Sequence, residues 1–277
     1  MEQTVTFPDG RSICKLGQGT YKMGISAARR DDEMRALRHG IELGLSVIDT
    51  AEMYGNEEFV GEAIRGVRDK VFIVSKVLPC NADYTGTKRA CERSLRRLGV
   101  ERIDLYLLHW IGIHPFAETV RALAELRNEG KIGMWGMSNL DVADMEHIIS
   151  LPQGRECSTD QVLYNLESRG VEYDLLPWCS RHNMPVMAYS PVGEGRLSCN
   201  QTLERIAKRH KATPAQIALA WTMRSPGIIA IPKAGSISHV NDNYNSLTVT
   251  LNDEDLGHID ATFPPPRKKY RLQDGNR

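Results

Sequence analysis

Short apolar runs alternate with longer amphipathic segments along most of this chain. Eight runs of this kind predict buried strands, at residues 14–20, 47–49, 71–76, 103–109, 131–138, 159–163, 185–189 and 227–232. Between them, apolar residues recur at helical spacing, as Val120, Leu123 and Ala124 do. Strands that alternate with amphipathic helices pair in parallel through right-handed crossovers. The pattern therefore predicts an α/β protein.

Eight strand and helix units favour a closed (β/α)8 TIM barrel, with an open doubly wound sheet as the alternative. The length agrees, because such barrels typically take about 250 residues and this chain has 277. Ahead of the first unit, a turn signal at residues 8–10 (PDG) lies between Phe7 and Ile13 and predicts an N-terminal β-hairpin. We expect residues 1–277 to form a single domain.

Four of the predicted helices begin with a residue that can cap the helix. These residues are Asp31 or Asp32, Asp141, Thr213 and Asn252. The signal is strongest at Thr213, because Pro214 follows at the first helical position and Gln216 at the third.

Composition narrows the class of protein. Lys plus Arg and Asp plus Glu number 35 each, so no net charge attracts the chain to nucleic acid or to an anionic membrane. No apolar run approaches the roughly 20 residues of a membrane span. The six cysteines are scattered and form no C-x-x-C motif, which predicts reduced thiols and no metal site. We expect a cytoplasmic monomer or small homo-oligomer that binds neither nucleic acid nor membrane.

Ionisable side chains lie at or just after the ends of three predicted strands. They are Asp49 with Tyr54 beyond it, Lys76 and His109. Because a (β/α) barrel builds its active site at the C-terminal ends of its strands, we expect these groups to meet. A lysine ammonium beside a phenol makes the phenol more acidic, and a carboxylate holds that lysine charged. Together with a histidine that hydrogen-bonds a substrate oxygen, they predict an acid that protonates a carbonyl oxygen.

Each of these four residues also has a structural interpretation. Asp49 fits a helix cap, Tyr54 a packing residue, and Lys76 a surface lysine at the end of a strand. His109 fits a core histidine whose hydrogen bonds are satisfied. The occurrence of all four at predicted strand ends favours the catalytic interpretation.

Short motifs follow one another in a familiar order along nearly the whole chain. They are DTAEMYG at 49–55, VSK at 74–76, LLHW at 107–110, GMSN at 136–139, Gln161, AYSP at 188–191 and IPK at 231–233. The set resembles the aldo-keto reductases, NAD(P)H-dependent enzymes on a (β/α)8 barrel. Residues 48–54, 105–110 and 168–179 are similar to bacterial members linked to methylglyoxal and related aldehydes. The resemblance implies NADPH-dependent reduction of a small-molecule carbonyl substrate, such as a 2-oxoaldehyde, to an alcohol.

The resemblance also implies individual roles. Tyr54 is implied as general acid, Lys76 and Asp49 as its tuning pair, and His109 as the group that orients the carbonyl. The residues implied on the cofactor are Gly19, Thr20, Ser138, Asn139, Gln161, Tyr189, Ser190, Pro191, Gly193, Lys233, His239 and Asn243. Among these, Ser138, Asn139 and Gln161 would contact the carboxamide group of the nicotinamide, and Tyr189 would stack on the nicotinamide ring. The residues implied on the substrate are Tyr21, Met53 and Trp110.

The cofactor has to bind without the glycine fingerprint of dinucleotide folds, because Lys22 stands where the third glycine of G-x-G-x-x-G belongs. Residues 190–197 (SPVGEGRL) are a candidate loop for the pyrophosphate, although a plain flexible loop would look similar. Lys233 would meet a ribose 2′-phosphate, which favours NADPH. Many relatives carry Arg where this chain has His239, and Ser or Thr where it has Ala234. This departure leaves NADH open and predicts pH-dependent 2′-phosphate binding.

Two other functions are compatible with the same residues. One is a nicotinamide-sensing regulatory module, because potassium-channel β subunits use this fold as a binding partner. The other is a dehydrogenase that works mainly in the direction of alcohol oxidation. The intact set of four catalytic residues and the compact length favour the reductase over the sensing module.

Overall fold

The computed structural model describes residues 3–272 of the chain. At its start, an antiparallel hairpin pairs β1 (Thr4–Thr6) with β2 (Ser12–Cys14), as predicted. The apolar side chains of the hairpin are buried against residues that point into the barrel, and the ring of Phe7 lies 5.5 Å from that of Phe72. Because Phe72 begins its strand, the hairpin closes the N-terminal end of the barrel.

Eight parallel strands form one sheet that is nearly closed into a barrel. They are β3 (Gln18–Gly19), β4 (Val47–Asp49), β5 (Phe72–Val77), β6 (Ile103–Leu108), β7 (Ile132–Ser138), β8 (Cys157–Leu163), β9 (Val186–Tyr189) and β10 (Ile228–Ile231). Each strand pairs with the next along the chain. Single bridges from Leu16 to Ala230 and from Gly19 to Lys233 join the first strand region to the last. The predicted (β/α)8 TIM barrel is confirmed.

Ten helices of the described residues surround the sheet. They are α1 (Ala27–Glu42), α2 (Glu57–Ile64), α3 (Tyr84–Leu98), α4 (Phe116–Asn128), α5 (Val142–Ser150), α6 (Leu175–Arg181), α7 (Gln201–His210), α8 (Pro214–Thr222), α9 (Ile237–Asn245) and α10 (Asp253–Thr262). Their buried faces and the outward-facing strand residues form the larger core, for example through Leu37, Ile73 and Leu123. None of the helices in residues 3–272 is long and apolar enough to span a bilayer.

Two predicted boundaries near the N-terminus are wrong. The first barrel strand spans only Gln18–Gly19, because Cys14 belongs to the hairpin instead. A glycine is required at the end of this strand, since a Cβ on Gly19 would lie 2.8 Å from the backbone oxygen of Ile231. Helix α1 begins at Ala27 after Ser26, so Asp31 and Asp32 lie inside the helix and do not cap it. The other barrel strands agree with the prediction to within two residues.

The sequence pattern missed α9. This helix (Ile237–Asn245) consists mostly of polar residues, and only Val240 in it is buried. A helix with one buried residue shows no apolar periodicity, which is the signal that located the other helices. The omission matters because α9 packs beside the cavity described below.

Capping boxes confirm three of the predicted helix starts, those at Asp141, Thr213 and Asn252. At Thr213 the hydroxyl accepts from the backbone N–H of Gln216 over 3.2 Å, and the Gln216 side chain accepts from the backbone N–H of Thr213 over 3.1 Å. Two N–H groups that have no partner within the helix are thereby satisfied.

Replacing Thr213 by Ala should lower the free energy of unfolding by about 1 kcal/mol, because a backbone donor at the start of α8 loses its acceptor. Urea unfolding followed by circular dichroism measures the change. Thr213→Ser is the matched control and should retain most of the stability, since it keeps the hydroxyl. An equal loss in both variants would show that the methyl group, not the cap, carries the effect.

Candidate active site

A cavity of about 580 Å³ opens at the C-terminal ends of the barrel strands. Most of the predicted site residues line it, namely Gly19, Thr20, Tyr21, Asp49, Met53, Tyr54, His109, Ser138, Asn139, Gln161, Tyr189, Ser190, Pro191, Lys233, His239 and Asn243. Lys76 lies behind this wall, wholly buried. Two predicted contacts, Trp110 and Gly193, do not line the cavity. The Trp110 ring packs on His109 instead, with ring centres 4.6 Å apart.

A buried ion pair lies at the base of the cavity. The ammonium of Lys76, on β5, donates to Asp49 Oδ1 and to the backbone oxygen of Thr50, each over 2.8 Å. The second carboxylate oxygen of Asp49 accepts from Gln161 Nε2 over 2.8 Å. Both charged groups are at most 2% exposed. Because a buried charge without a partner is costly, the pair fixes the relative positions of β4, β5 and β8 at this end of the barrel.

Tyr54 lies above this pair on the short 3-10 turn that follows β4. Its ring centre is 5.0 Å from Lys76 Nζ and 5.1 Å from the ring centre of Tyr21. Burial raises the pKa of Tyr54 well above its ordinary value, and the Asp49 carboxylate raises it further. We expected Lys76 to make the phenol more acidic, but burial and the Asp49 carboxylate dominate and the net pKa of Tyr54 is raised. Burial lowers the pKa of Lys76, and its charge is already balanced by Asp49.

His109 faces Tyr54 edge-on, with ring centres 5.7 Å apart and planes at 74°. Burial, with a contribution from the Lys76 charge, lowers the pKa of His109 to about 2, so the imidazole is neutral at all physiological pH values. Within the described residues, its Nδ1 is buried and has no hydrogen-bond partner. A neutral ring in this position can donate one hydrogen bond to an oxygen in the cavity without adding a charge.

The ends of β7, β8 and β9 bring together the residues that were predicted to contact the nicotinamide. Ser138 Oγ donates to the backbone oxygen of Gln161 over 2.8 Å, and Asn139 Nδ2 donates to Ser138 Oγ over 3.1 Å. The hydroxyl of Tyr189 donates to Asn139 Oδ1 over 2.9 Å. Asn139 has a φ of 63°, in the left-handed region that Asn tolerates better than most residues. This conformation ends β7 and turns the amide back over the strand ends.

Several lining residues were not predicted individually from the sequence. They are Lys22, Arg29, Val192, Glu194, Gly195, Ser198, Ala215, Ile231, Pro232 and Asp242. Those at 192, 194 and 195 fall within the predicted phosphate loop, so that motif was a usable signal. Arg29 and Asp242 carry no motif, because they come from separate helices, α1 and α9.

The donor set of the cavity fits a nicotinamide dinucleotide phosphate. One end holds an aromatic ring and amide groups, at Tyr189, Asn139 and Gln161. The middle is a loop that turns sharply, with φ values of 49° at Ser190, 58° at Gly193, 55° at Glu194 and 90° at Gly195. Such turns present successive backbone N–H groups to an anion. The far end carries Lys233 and His239.

Comparisons with known proteins agree with this geometry. Residues 15–263 match the aldo/keto reductase family. The chain is 50% identical to the methylglyoxal reductase YeaE of Escherichia coli (strain K12), over 98% of each chain. It is 33% identical to a 9,11-endoperoxide prostaglandin H2 reductase of Trypanosoma cruzi (strain CL Brener), over 92% of this chain and 90% of the relative.

Structural comparison gives the same result. A crystal structure of an aldo-keto reductase from Klebsiella pneumoniae in complex with NADPH superimposes with a TM-score of 0.96. The two chains are 49% identical, and the match covers 99% of each. The resemblance that the motifs indicated is confirmed.

The low pKa of His109 predicts a pH-dependent stability. The folded imidazole has a pKa of about 2 against an ordinary value of 6.5, so its contribution to stability is complete above pH 6.5 and is lost as the pH falls below it. Between pH 7.5 and pH 5.0, wild type should lose about 2 kcal/mol more stability than His109→Gln. Chemical denaturation at the two pH values measures this difference.

The control is His258→Gln, because the His258 side chain is 47% exposed. This variant should follow the pH dependence of wild type. If His109→Gln and wild type gave parallel pH profiles, His109 would not be held neutral by burial.

Proposed function

Because the chain belongs to the aldo/keto reductase family, we propose that it reduces small aldehydes and ketones to alcohols, with Tyr54 as the proton donor. It is an NADP(H)-dependent oxidoreductase, and NADPH is its cofactor. One observation carries the proposal. A neutral phenol and a neutral imidazole face one cavity, directly above a buried carboxylate and ammonium pair.

NADPH, when bound, supplies the hydride that adds to the carbonyl carbon. The residues of the chain control the proton. Tyr54 donates its phenolic proton to the carbonyl oxygen, so that hydride and proton together convert C=O to CH–OH. The raised pKa of Tyr54 keeps the phenol protonated until that oxygen becomes basic. Tyr54 lines the open cavity, so water that enters it can return the proton afterwards.

The buried pair acts after the proton has left Tyr54. Donation leaves a phenolate. The centre of the Tyr54 ring is 5.0 Å from Lys76 Nζ. Asp49 and the Thr50 carbonyl hold that ammonium in place, so it is preorganised for the negative charge that develops. A second donor to the substrate oxygen comes from neutral His109. Two donors to one oxygen fix the orientation of the carbonyl.

The cofactor contacts follow from the same arrangement. Ser138, Asn139 and Gln161 present polar groups at the ends of β7 and β8, suited to a carboxamide. Tyr189 presents an aromatic face suited to a flat ring. Fixed contacts of this kind would hold one face of the nicotinamide towards the substrate.

We propose methylglyoxal and related 2-oxoaldehydes as substrates. Half of the residues are identical to a protein named methylglyoxal reductase. The Trypanosoma cruzi relative is named for a prostaglandin endoperoxide, so family membership alone does not set the substrate. Tyr21 and Met53 stand beside Tyr54 on the cavity wall and would make the nonpolar contacts of a small aldehyde.

Replacing Tyr54 by Phe should lower kcat for aldehyde reduction by about 10²–10⁴-fold, because the proton donor is lost while the ring remains. NADPH affinity should change little. Initial rates of NADPH oxidation with methylglyoxal, an aromatic aldehyde and an aldose measure turnover, and fluorescence titration measures cofactor binding. The same rates with NADH give the cofactor preference.

Tyr173→Phe is the matched control. Tyr173 is 49% exposed and does not line the cavity, so loss of its hydroxyl should leave the rate unchanged. An undiminished rate in Tyr54→Phe would remove Tyr54 from the proposed role. Cofactor binding by wild type without turnover of any substrate would favour the nicotinamide-sensing function instead.

We further propose that the chain works in the cytoplasm, as a single domain and as a monomer or small homo-oligomer. Its six cysteines are all unpaired thiols, as is usual in a reducing compartment. Size-exclusion chromatography with light scattering would determine the assembly state.

A further inference from the structure

The far end of the cavity carries a cation that no motif indicates and that the proposed chemistry does not use. Arg29 lines the same cavity as Lys233, His239 and Asn243. It lies in the first turn of α1, whereas the other three follow β10 or belong to α9. Two parts of the chain that are distant in sequence therefore place positive charge at one end of the cavity.

The two helices are neighbours, which explains this convergence. His39 Nε2, on α1, hydrogen-bonds Asn241 Oδ1, on α9, over 2.7 Å. Each helix follows a barrel strand, so both begin at the C-terminal edge of the barrel, where the cavity opens. Arg29 and His239 each occupy the first turn of their helix and share this edge.

A buried carboxylate, that of Glu33, lies near the segments that carry Arg29 and Lys233. The Glu33 side chain is 1% exposed, and its Oε2 accepts from the backbone N–H of Gly24 over 2.8 Å. Its Oε1 lies 3.9 Å from Arg29 Nε. A Cβ built on Gly235 would be 3.7 Å from Glu33 Oε1 and 3.3 Å from Lys233 Nζ. A side chain at position 235 would therefore meet both Glu33 and Lys233, and Gly235 leaves room beside them.

The contact between Arg29 and Glu33 leaves the guanidinium available. A separation of 3.9 Å is too long for a hydrogen bond, and the Arg29 side chain is 63% exposed. Arg30, the next residue, points elsewhere and pairs with Glu62. The first turn of α1 contains no acidic residue, and a cation there opposes the helix dipole. An anion beside Arg29 would relieve that unfavourable arrangement.

We propose that Arg29, together with Lys233, binds the 2′-phosphate of NADPH and thereby sets the preference for NADPH over NADH. The inference rests on the proposed function, in which NADPH occupies this cavity. A guanidinium binds a phosphate through two parallel hydrogen bonds, which a histidine cannot do.

Arg29→Gln should raise the dissociation constant for NADPH about tenfold and leave that for NADH within twofold, because only NADPH carries the 2′-phosphate. Arg30→Gln is the matched control. It removes the same charge from the same helical turn, but Arg30 does not line the cavity, so both dissociation constants should stay as in wild type. Arg29→Lys should fall between wild type and Arg29→Gln, since it keeps the charge and loses the second hydrogen bond.

Binding of 2′,5′-ADP and of 5′-ADP, measured by calorimetry, separates the phosphate contact from catalysis. Arg29→Gln should weaken 2′,5′-ADP binding and leave 5′-ADP binding unchanged. Equal weakening of both ligands, or no weakening of either, would overturn the proposal. If wild type showed an Arg29-dependent preference for 2′,5′-ADP but reduced no aldehyde, the proposed function would fail while this inference would stand.

Discussion

The buried ion pair between Asp49 and Lys76 is the interaction on which the active site depends. Taking two ions out of water costs several kcal/mol for each, and their attraction offsets this only with good geometry and further hydrogen bonds. The barrel supplies those bonds from the Thr50 carbonyl and the Gln161 amide. The partners come from three different strands, β4, β5 and β8. Asp49 and Lys76 lie on neighbouring strands, but the Gln161 bond that completes the site comes from β8, across the barrel, so the complete site requires the closed barrel.

This pair concentrates the charge below the cavity and leaves neutral groups above it. Tyr54 keeps its proton because burial and the Asp49 carboxylate both raise its pKa. His109 stays uncharged because burial and the Lys76 ammonium both lower its pKa. A neutral donor is suited to a neutral carbonyl, and a fixed ammonium is suited to the negative charge that proton transfer creates. Burial thus keeps both groups above the pair uncharged, the phenol by raising its pKa and the imidazole by lowering its pKa.

The end of the cavity where we propose that the cofactor phosphates bind is built on a different principle. A loop with left-handed residues lines it and can present backbone N–H groups. Exposed cationic side chains line it as well. These cations come from the first turn of α1 and from the segment after β10. Neighbouring barrel helices begin at the same edge, so residues from both can reach one phosphate. We propose this arrangement for Arg29, Lys233 and the 2′-phosphate of NADPH.

The sequence by itself determined the barrel, because strand and helix periodicities and the capping box at Thr213 are local signals. It also located the groups that we propose as catalytic, since a polar residue that ends an apolar strand must lie at the end of the barrel where the strands stop. Only the tertiary structure decided which way the pKa of Tyr54 moves, because burial and the distance to Asp49 depend on the closed barrel. It alone placed α9 and Arg29 beside the cavity and Trp110 off the cavity wall. These positions depend on packing between helices and loops that are distant in sequence, and no local pattern records such packing.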